Sequence, residues 1–190
     1  AVGRYYYDSK QTAVVTVDNS ASVLGRQLIY AENFRLPSTP MEAYSFAINY
    51  RSPKFWFVSL TGNYFDKSYL SMNPLRRTWD ALQYVQKGSD AYNEIFNQTQ
   101  FDAQYTVDFF GGYSWKLPKD FEINKKSTFL VFNVGINNLL NNKDIVTGGF
   151  EQLRYDAQLS STDPVQAGKF PPKLFYAYGL NFFASMTLRF

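Results

Sequence analysis

Arg76, Arg77, Trp79, Tyr84 and Tyr92 lie within one polar stretch of the chain, and Phe150 and Arg154 lie in a second. Guanidinium groups beside aromatic rings stack and hydrogen-bond, which is how a sugar or peptide ligand is gripped. The same groups also pack a long loop against its neighbours and pin it. These seven residues are the candidates for ligand or partner contact, and no pattern for catalysis competes with them. The chain has no His and no Cys, so His-based catalytic arrangements and zinc-type Cys/His spacing do not occur in it. Asp102 and Asp108 share a strand face, yet stand about 20 Å apart at ~3.3 Å per residue, too far for paired acid–base work. Gly111-Gly112 and Gly148-Gly149 lack the strand–helix context of a phosphate loop and read as close-packing or turn glycines. No enzymatic activity, metal or cofactor is expected.

The elements that position those residues show in the hydropathy pattern. From 176 to 190, Tyr176, Tyr178, Leu180, Phe182, Ala184, Met186, Leu188 and Phe190 take every second place, the period of a strand with one apolar face. The same alternation runs through Tyr44, Phe46, Ile48 and Tyr50, then through Trp56, Val58, Leu60 and Tyr64. It returns in Tyr105, Val107, Phe109, Tyr113 and Trp115, and in Leu130, Phe132, Val134 and Ile136. With two weaker stretches, at about 11–18 and 24–34, seven strands are predicted. Aromatic residues are 19% of the chain and charged residues 18%, the latter below the roughly 25% of soluble domains. Mean hydropathy is nevertheless −0.32, and no apolar run approaches the ~20 residues of a membrane helix. Alternation dilutes apolar residues in this way in membrane β-barrels. The net charge of +3 comes without a basic block, which leaves nucleic-acid binding unsupported.

The predicted strands at 102–117 and 175–190 run to about sixteen residues, roughly 50 Å at ~3.3 Å each, enough to cross a bilayer and protrude. Arg51-Ser52-Pro53-Lys54 is a tight turn, Asp18 to Ser22 another, and 118–127 a modest connector. The stretches 66–100 and 140–174 are predicted as loops far beyond the usual 4–6 residues. Short turns at one end and long loops at the other is the outer-membrane arrangement. It places the C-terminus in the periplasm and the long loops outside the cell. The expected fold is all-β: an antiparallel transmembrane barrel segment, with the even-numbered residues Tyr176 to Phe190 of the last strand facing lipid.

Three blocks carry a resemblance: YRSPKFWFVSLTGNYFDKSYLSMNPLRRT (50–78), FNVGINNLLNNKDIVTGGFEQLRYD (132–156) and FPPKLFYAYGLNFFASMTLRF (170–190). Together they resemble the C-terminal part of TonB-dependent outer-membrane receptors, with the SusC/RagA-like group nearest in character. The resemblance implies a 22-stranded barrel of which residues 1–190 supply about seven strands, with the plug and N-terminal strands lying outside this sequence. It also implies uptake of a nutrient (glycan, peptide or chelate) with energy delivered by the TonB complex through that plug. The partners it implies are outer-membrane lipid, the nutrient ligand and a surface lipoprotein lid. Two other readings stay open at this point. One is a complete eight-stranded outer-membrane barrel of structural or adhesive role, its eighth strand near residues 1–8. The other is a soluble all-β binding protein.

Overall fold

The computed structural model describes residues 1–17, 21–37, 39–83, 85–123, 126–152, 155–157 and 167–190. The fold is all-β with antiparallel sheets. Its strands are β1 (Gln11–Thr16), β2 (Val23–Ile29), β3 (Glu42–Arg51), β4 (Trp56–Asp66), β5 (Gln104–Lys116), β6 (Phe129–Asn137), β7 (Val146–Phe150), β8 (Tyr155–Ala157), β9 (Ala167–Lys169), β10 (Lys173–Tyr176) and β11 (Asn181–Arg189). Two short helices, α1 (Trp79–Leu82) and α2 (Asp90–Phe96), lie between β4 and β5.

The chain divides into two compact units. One comprises residues 43–65, 103–145 and 176–190 and holds the five-stranded sheet, ordered β11-β6-β5-β4-β3. Strand neighbours in space are strand neighbours in sequence, apart from the long excursion between β6 and β11. The sheet is open: β3 and β11 are its outer strands, and no closed barrel forms among the described residues. β3, β4, β6 and β11 have 10, 11, 9 and 9 residues, and β5 has 13. Tilted strands of about 9–11 residues cross a bilayer core.

Register puts the alternating residues into rows. Leu60, Phe109, Ile136 and Phe182 stand side by side across β4, β5, β6 and β11, and Trp56, Tyr113, Phe132 and Met186 form a parallel row. The opposite face is held by polar side chains. The Ser45 hydroxyl donates to Asn63 Oδ1 (2.9 Å), and Asn63 Nδ2 donates to Asp108 Oδ2 (2.9 Å) and Thr106 Oγ1 (3.2 Å). The Asn138 amide donates to the other Asp108 oxygen at 2.9 Å. Asn137 Nδ2 reaches Asn181 Oδ1 at 3.0 Å. A cluster of three phenyl rings interrupts this face, with Phe57 and Phe110 at 5.4 Å and Phe110 and Phe183 at 6.1 Å between centroids.

Two of those rings cover glycines on the next strand, the aromatic rescue of a residue that lacks a side chain to pack. A Cβ on Gly112 would collide with Phe57, and one on Gly135 with the ring of Phe183. Gly111, against the Phe109 ring, and Gly112 are packing glycines, one of the two roles that their sequence context left open. Gly135→Val is expected to destabilise the sheet by about 1–3 kcal/mol, the usual range for overpacking. Phe183→Leu in the same chain should return part of that loss, which a double-mutant cycle on thermal stability measures.

The other unit comprises residues 1–42, 66–102 and 146–175. It contains the β1–β2 hairpin, the β7–β10 pair and the β8–β9 pair. Residues 1–8 make only isolated bridges, Val2 to Glu42 and Tyr6 to Arg35, so no eighth strand forms there.

Several expectations are corrected. The stretch 140–174 is not a single loop, because it carries β7 to β10. The stretch 66–100 holds a 3-10 turn at Pro74–Arg77 and both helices. Each starts on a capping side chain: Asn73 accepts from the Leu75 amide, Thr78 from Ala81 and Ser89 from Tyr92. The alternation from 176 to 190 is not one strand. Tyr176 ends β10, Tyr178 lies outside any strand, Gly179 and Leu180 form a bend, and β11 begins at Asn181. The reason is polar capture of the backbone. Asn138 Nδ2 donates to the Tyr178 carbonyl at 3.2 Å, and the Leu180 amide donates to Asn141 Oδ1 at 3.0 Å.

Candidate functional site

Two features are positioned to act. The first is the apolar face of the five-stranded sheet, which no other element of its own unit covers. Phe182 is 73% exposed, and Phe46, Ile48, Leu60, Val134, Met186 and Leu188 are exposed as well. The rings with polar tips segregate to the two ends of this face. Tyr44 packs against Tyr64 at 6.2 Å at one end, where Tyr105 also stands opposite Tyr64. Tyr50 packs against Trp56 at 5.1 Å at the other end, with Tyr113 and Trp115 beside them. Between the ends the face is purely apolar. From Tyr105 to Tyr113 or Trp115 is about 26–33 Å along the strand at ~3.3 Å per residue. At the tilt of a membrane barrel this shortens to about 20–25 Å, matching the ~25 Å apolar band of such walls between their aromatic girdles. The row containing Phe109 and Phe182 falls midway.

The second feature is a pinned cluster in the other unit. Arg77 Nη1 donates to Glu151 Oε2 (2.6 Å) and to the Asn73 carbonyl (2.8 Å). Nη2 donates to Glu151 Oε1 (2.9 Å) and to the Ile95 carbonyl (2.7 Å). The guanidinium carbon lies 4.7 Å from the Phe34 ring centroid, and Nε is buried with no acceptor among the described residues. The Asn73 amide donates to Glu151 Oε2 at 2.9 Å. One guanidinium–carboxylate pair thus ties the 3-10 turn, the end of α2 and the end of β7.

Burial alone would push the Glu151 carboxyl up. The Arg77 hydrogen bond, the Asn73 amide and the charges of Arg77 and Arg76 outweigh it and hold the pKa below the ordinary 4.5. A carboxyl lowered by folding stabilises the fold fully above its unfolded pKa and loses that contribution as pH falls through the folded value. The cluster is expected to stay closed above about pH 4.5 and to open progressively in stronger acid. Hydrogen exchange at the Asn73 amide, corrected for the chemical rate at each pH, checks this, and Glu151→Gln should remove the acid transition.

The seven candidates from the sequence divide accordingly. Arg77 is 1% exposed and is a pin: both of its Nη groups donate to Glu151 and to backbone carbonyls. Tyr92 stacks on Phe96 at 4.7 Å, which in turn packs against Phe34 at 6.2 Å. Trp79 is 62% exposed at the start of α1. Phe150 is partly exposed and packs against Phe175 at 5.9 Å, with the Lys173 ammonium 6.0 Å from its ring. Arg76 lines a cavity of about 110 Å³ together with Leu70, Thr99, Glu151, Phe170, Pro171 and Pro172. Tyr84 and Arg154 lie outside the described residues. The structure therefore joins Arg76 with Glu151, Thr99 and the Phe170-Pro171-Pro172 run, which sequence reasoning did not select. Glu151 follows Phe150 directly, but no local sequence signal pairs it with an arginine 74 residues away.

No family model matches the chain, and neither a curated protein nor a solved structure matches it.

Proposed function

We propose that this chain is the C-terminal wall and loop portion of a TonB-dependent outer-membrane transporter of the SusC/RagA-like kind. It binds a nutrient outside the cell and admits it with energy delivered through TonB, without chemistry on the cargo. The observation that carries the reading is the five-stranded sheet, one face of which is apolar, exposed and bounded by tyrosine and tryptophan at both ends. A soluble protein does not leave a face of this extent uncovered, whereas a barrel wall presents it to lipid. The opposite, hydrogen-bonded face suits a wet lumen. The outer strands β3 and β11 need further neighbours, because open sheet edges are not tolerated in hydrocarbon; this favours a larger barrel over a small one. Membrane lipid, the TonB complex acting through a plug, a surface lipoprotein and the nutrient are the partners in this reading. The segments 66–102 and 146–175 lie outside the cell in this reading, which assigns ligand or lid contact to Arg76, Trp79 and Phe150.

Fractionation tests it. A polypeptide several-fold longer than 190 residues that contains this sequence should stay in carbonate-washed outer membranes. It should also shift its gel mobility on boiling and cross-link to TonB. Recovery in the soluble fraction would refute the proposal, and a 190-residue species in the outer membrane would replace it with a small barrel.

A further inference from the structure

The polar face of the five-stranded sheet ends, on the side of the short connections, in a cleft of about 400 Å³. Phe55, Ser114, Lys126, Phe129, Arg189 and Phe190 line it. Its volume falls in the range of ligand-binding clefts, roughly 300–1,000 Å³. Strand register sets Lys116, Phe129 and Arg189 in one row across β5, β6 and β11, cation, ring, cation. The ion pairs among the described residues are Lys67 with Glu42 and Arg77 with Glu151; Lys116, Lys126 and Arg189 belong to neither. Of the charged side chains near the cleft, Lys126 and Arg189 line it, whereas Lys116, Asp120 and Glu122 do not. Even counted with an α-carboxylate at Phe190, the two lining cations, Lys126 and Arg189, leave the cleft positive.

Phe55 adds an independent observation. It closes the β3–β4 turn at φ 64°, a left-handed conformation in which glycine is the unstrained residue and a bulky side chain is an outlier. The turn is fixed by backbone bonds from the Ser52 amide to the Trp56 carbonyl and from the Ser114 amide to the Phe55 carbonyl, each 2.8 Å. Those bonds need no side chain at position 55. The phenyl ring is 62% exposed, its centroid 6.4 Å from that of Phe129. Strain of this kind, kept for a ring that faces solvent, marks a functional contact.

We infer that this cleft binds an acidic polypeptide segment of a separate protein, one that carries an apolar side chain between its carboxylates. Lys116, which stands in the strand row beside Phe129 without lining the cleft, and Arg189 are two strand spacings apart, about 10 Å. That is close to the ~9 Å between carboxylates three residues apart on a polyproline-II-like chain, which returns every third side chain to one face. The rings of Phe55 and Phe129 receive what lies between them. A lipid headgroup fits less well, because the extended apolar surface that acyl chains require lies on the opposite face of the same sheet. The inference stands on the cleft alone and does not depend on the transport reading.

The test is fluorescence anisotropy of labelled acetyl-Asp-Phe-Phe-Asp-amide with the purified full chain in detergent. Saturable binding that weakens with salt is expected, with none for acetyl-Asn-Phe-Phe-Asn-amide. The exposed double change Lys126→Gln and Arg189→Gln should weaken binding at least about tenfold. Phe55→Gly should weaken binding while leaving the chain as heat-stable as before or more so, since it relaxes the turn. Equal binding of the two peptides, unchanged binding by both variants, or no saturable binding would overturn the assignment. Complete displacement by inorganic phosphate alone would also overturn it and leave only a simple anion site.

Discussion

Replacing Arg77 by methionine is expected to open the segments 66–102 and 146–152 at a cost of about 3–5 kcal/mol, the range for breaking a buried ion pair from one side. The cost arises because Glu151 keeps its charge in a buried position after both Arg77 bonds are gone. The Asn73 and Ile95 carbonyls lose donors in the same step. Hydrogen exchange at the amides of 71–77 and 93–97 reads the loss directly. Adding Glu151→Leu to Arg77→Met should return much of it, because two apolar residues in place of a buried pair are often neutral or better. Arg76→Gln, one residue away, should cost well under half as much, since Arg76 acts on Glu151 only through its charge. Equal protection in the parent and in Arg77→Met would show that the pair does not hold these segments.

Phe182→Arg is the second large effect expected. Its row lies midway between the aromatic ends of the apolar face, which is the bilayer midplane in the proposed wall. There an arginine costs about 2–4 kcal/mol, against about 0–1 near an interface. Leu188→Arg, close to the short-turn end, should therefore cost less than Phe182→Arg. Ser185→Arg, on the polar face, should cost least of the three. Folding titrations into lipid vesicles give the ranking, and equal costs at positions 182 and 185 would count against a lipid-facing side.

The strands β3, β4, β5 and β6 were legible because each keeps period two within a single pairing register, so side-chain pattern and backbone pattern coincide. Past Tyr176 they part. Alternation through Tyr178 and Leu180 continues while their backbone groups are bonded to Asn138 and Asn141, and nothing in the local sequence announces those distant amides. The strand β7 was hidden by its Gly148-Gly149 pair, which reads as a turn until Gly149 is seen packed so closely against the Lys173 carbonyl that a Cβ would not fit. Arg76 and Arg77 are identical by type and context. The turn capped by Asn73 sends one into the core and leaves the other at a cavity wall, a difference set by Glu151, 74 residues away in sequence. The caps themselves, Asn73 before Pro74 and Ser89 before α2, follow ordinary helix-start chemistry and were there to be read.

The most direct test of the central claim is the accessibility of nitroxide labels along β11. The chain has no cysteine, so single cysteines at 182 to 187 carry the label without interference. In lipid bilayers, positions 182, 184 and 186 are expected to collide preferentially with dissolved oxygen, and 183, 185 and 187 with a water-soluble nickel chelate. That period-two alternation would place the even-numbered face in hydrocarbon. Uniform access of the nickel chelate to both sets would mean that the sheet does not lie in a membrane, and the wall would have to be abandoned.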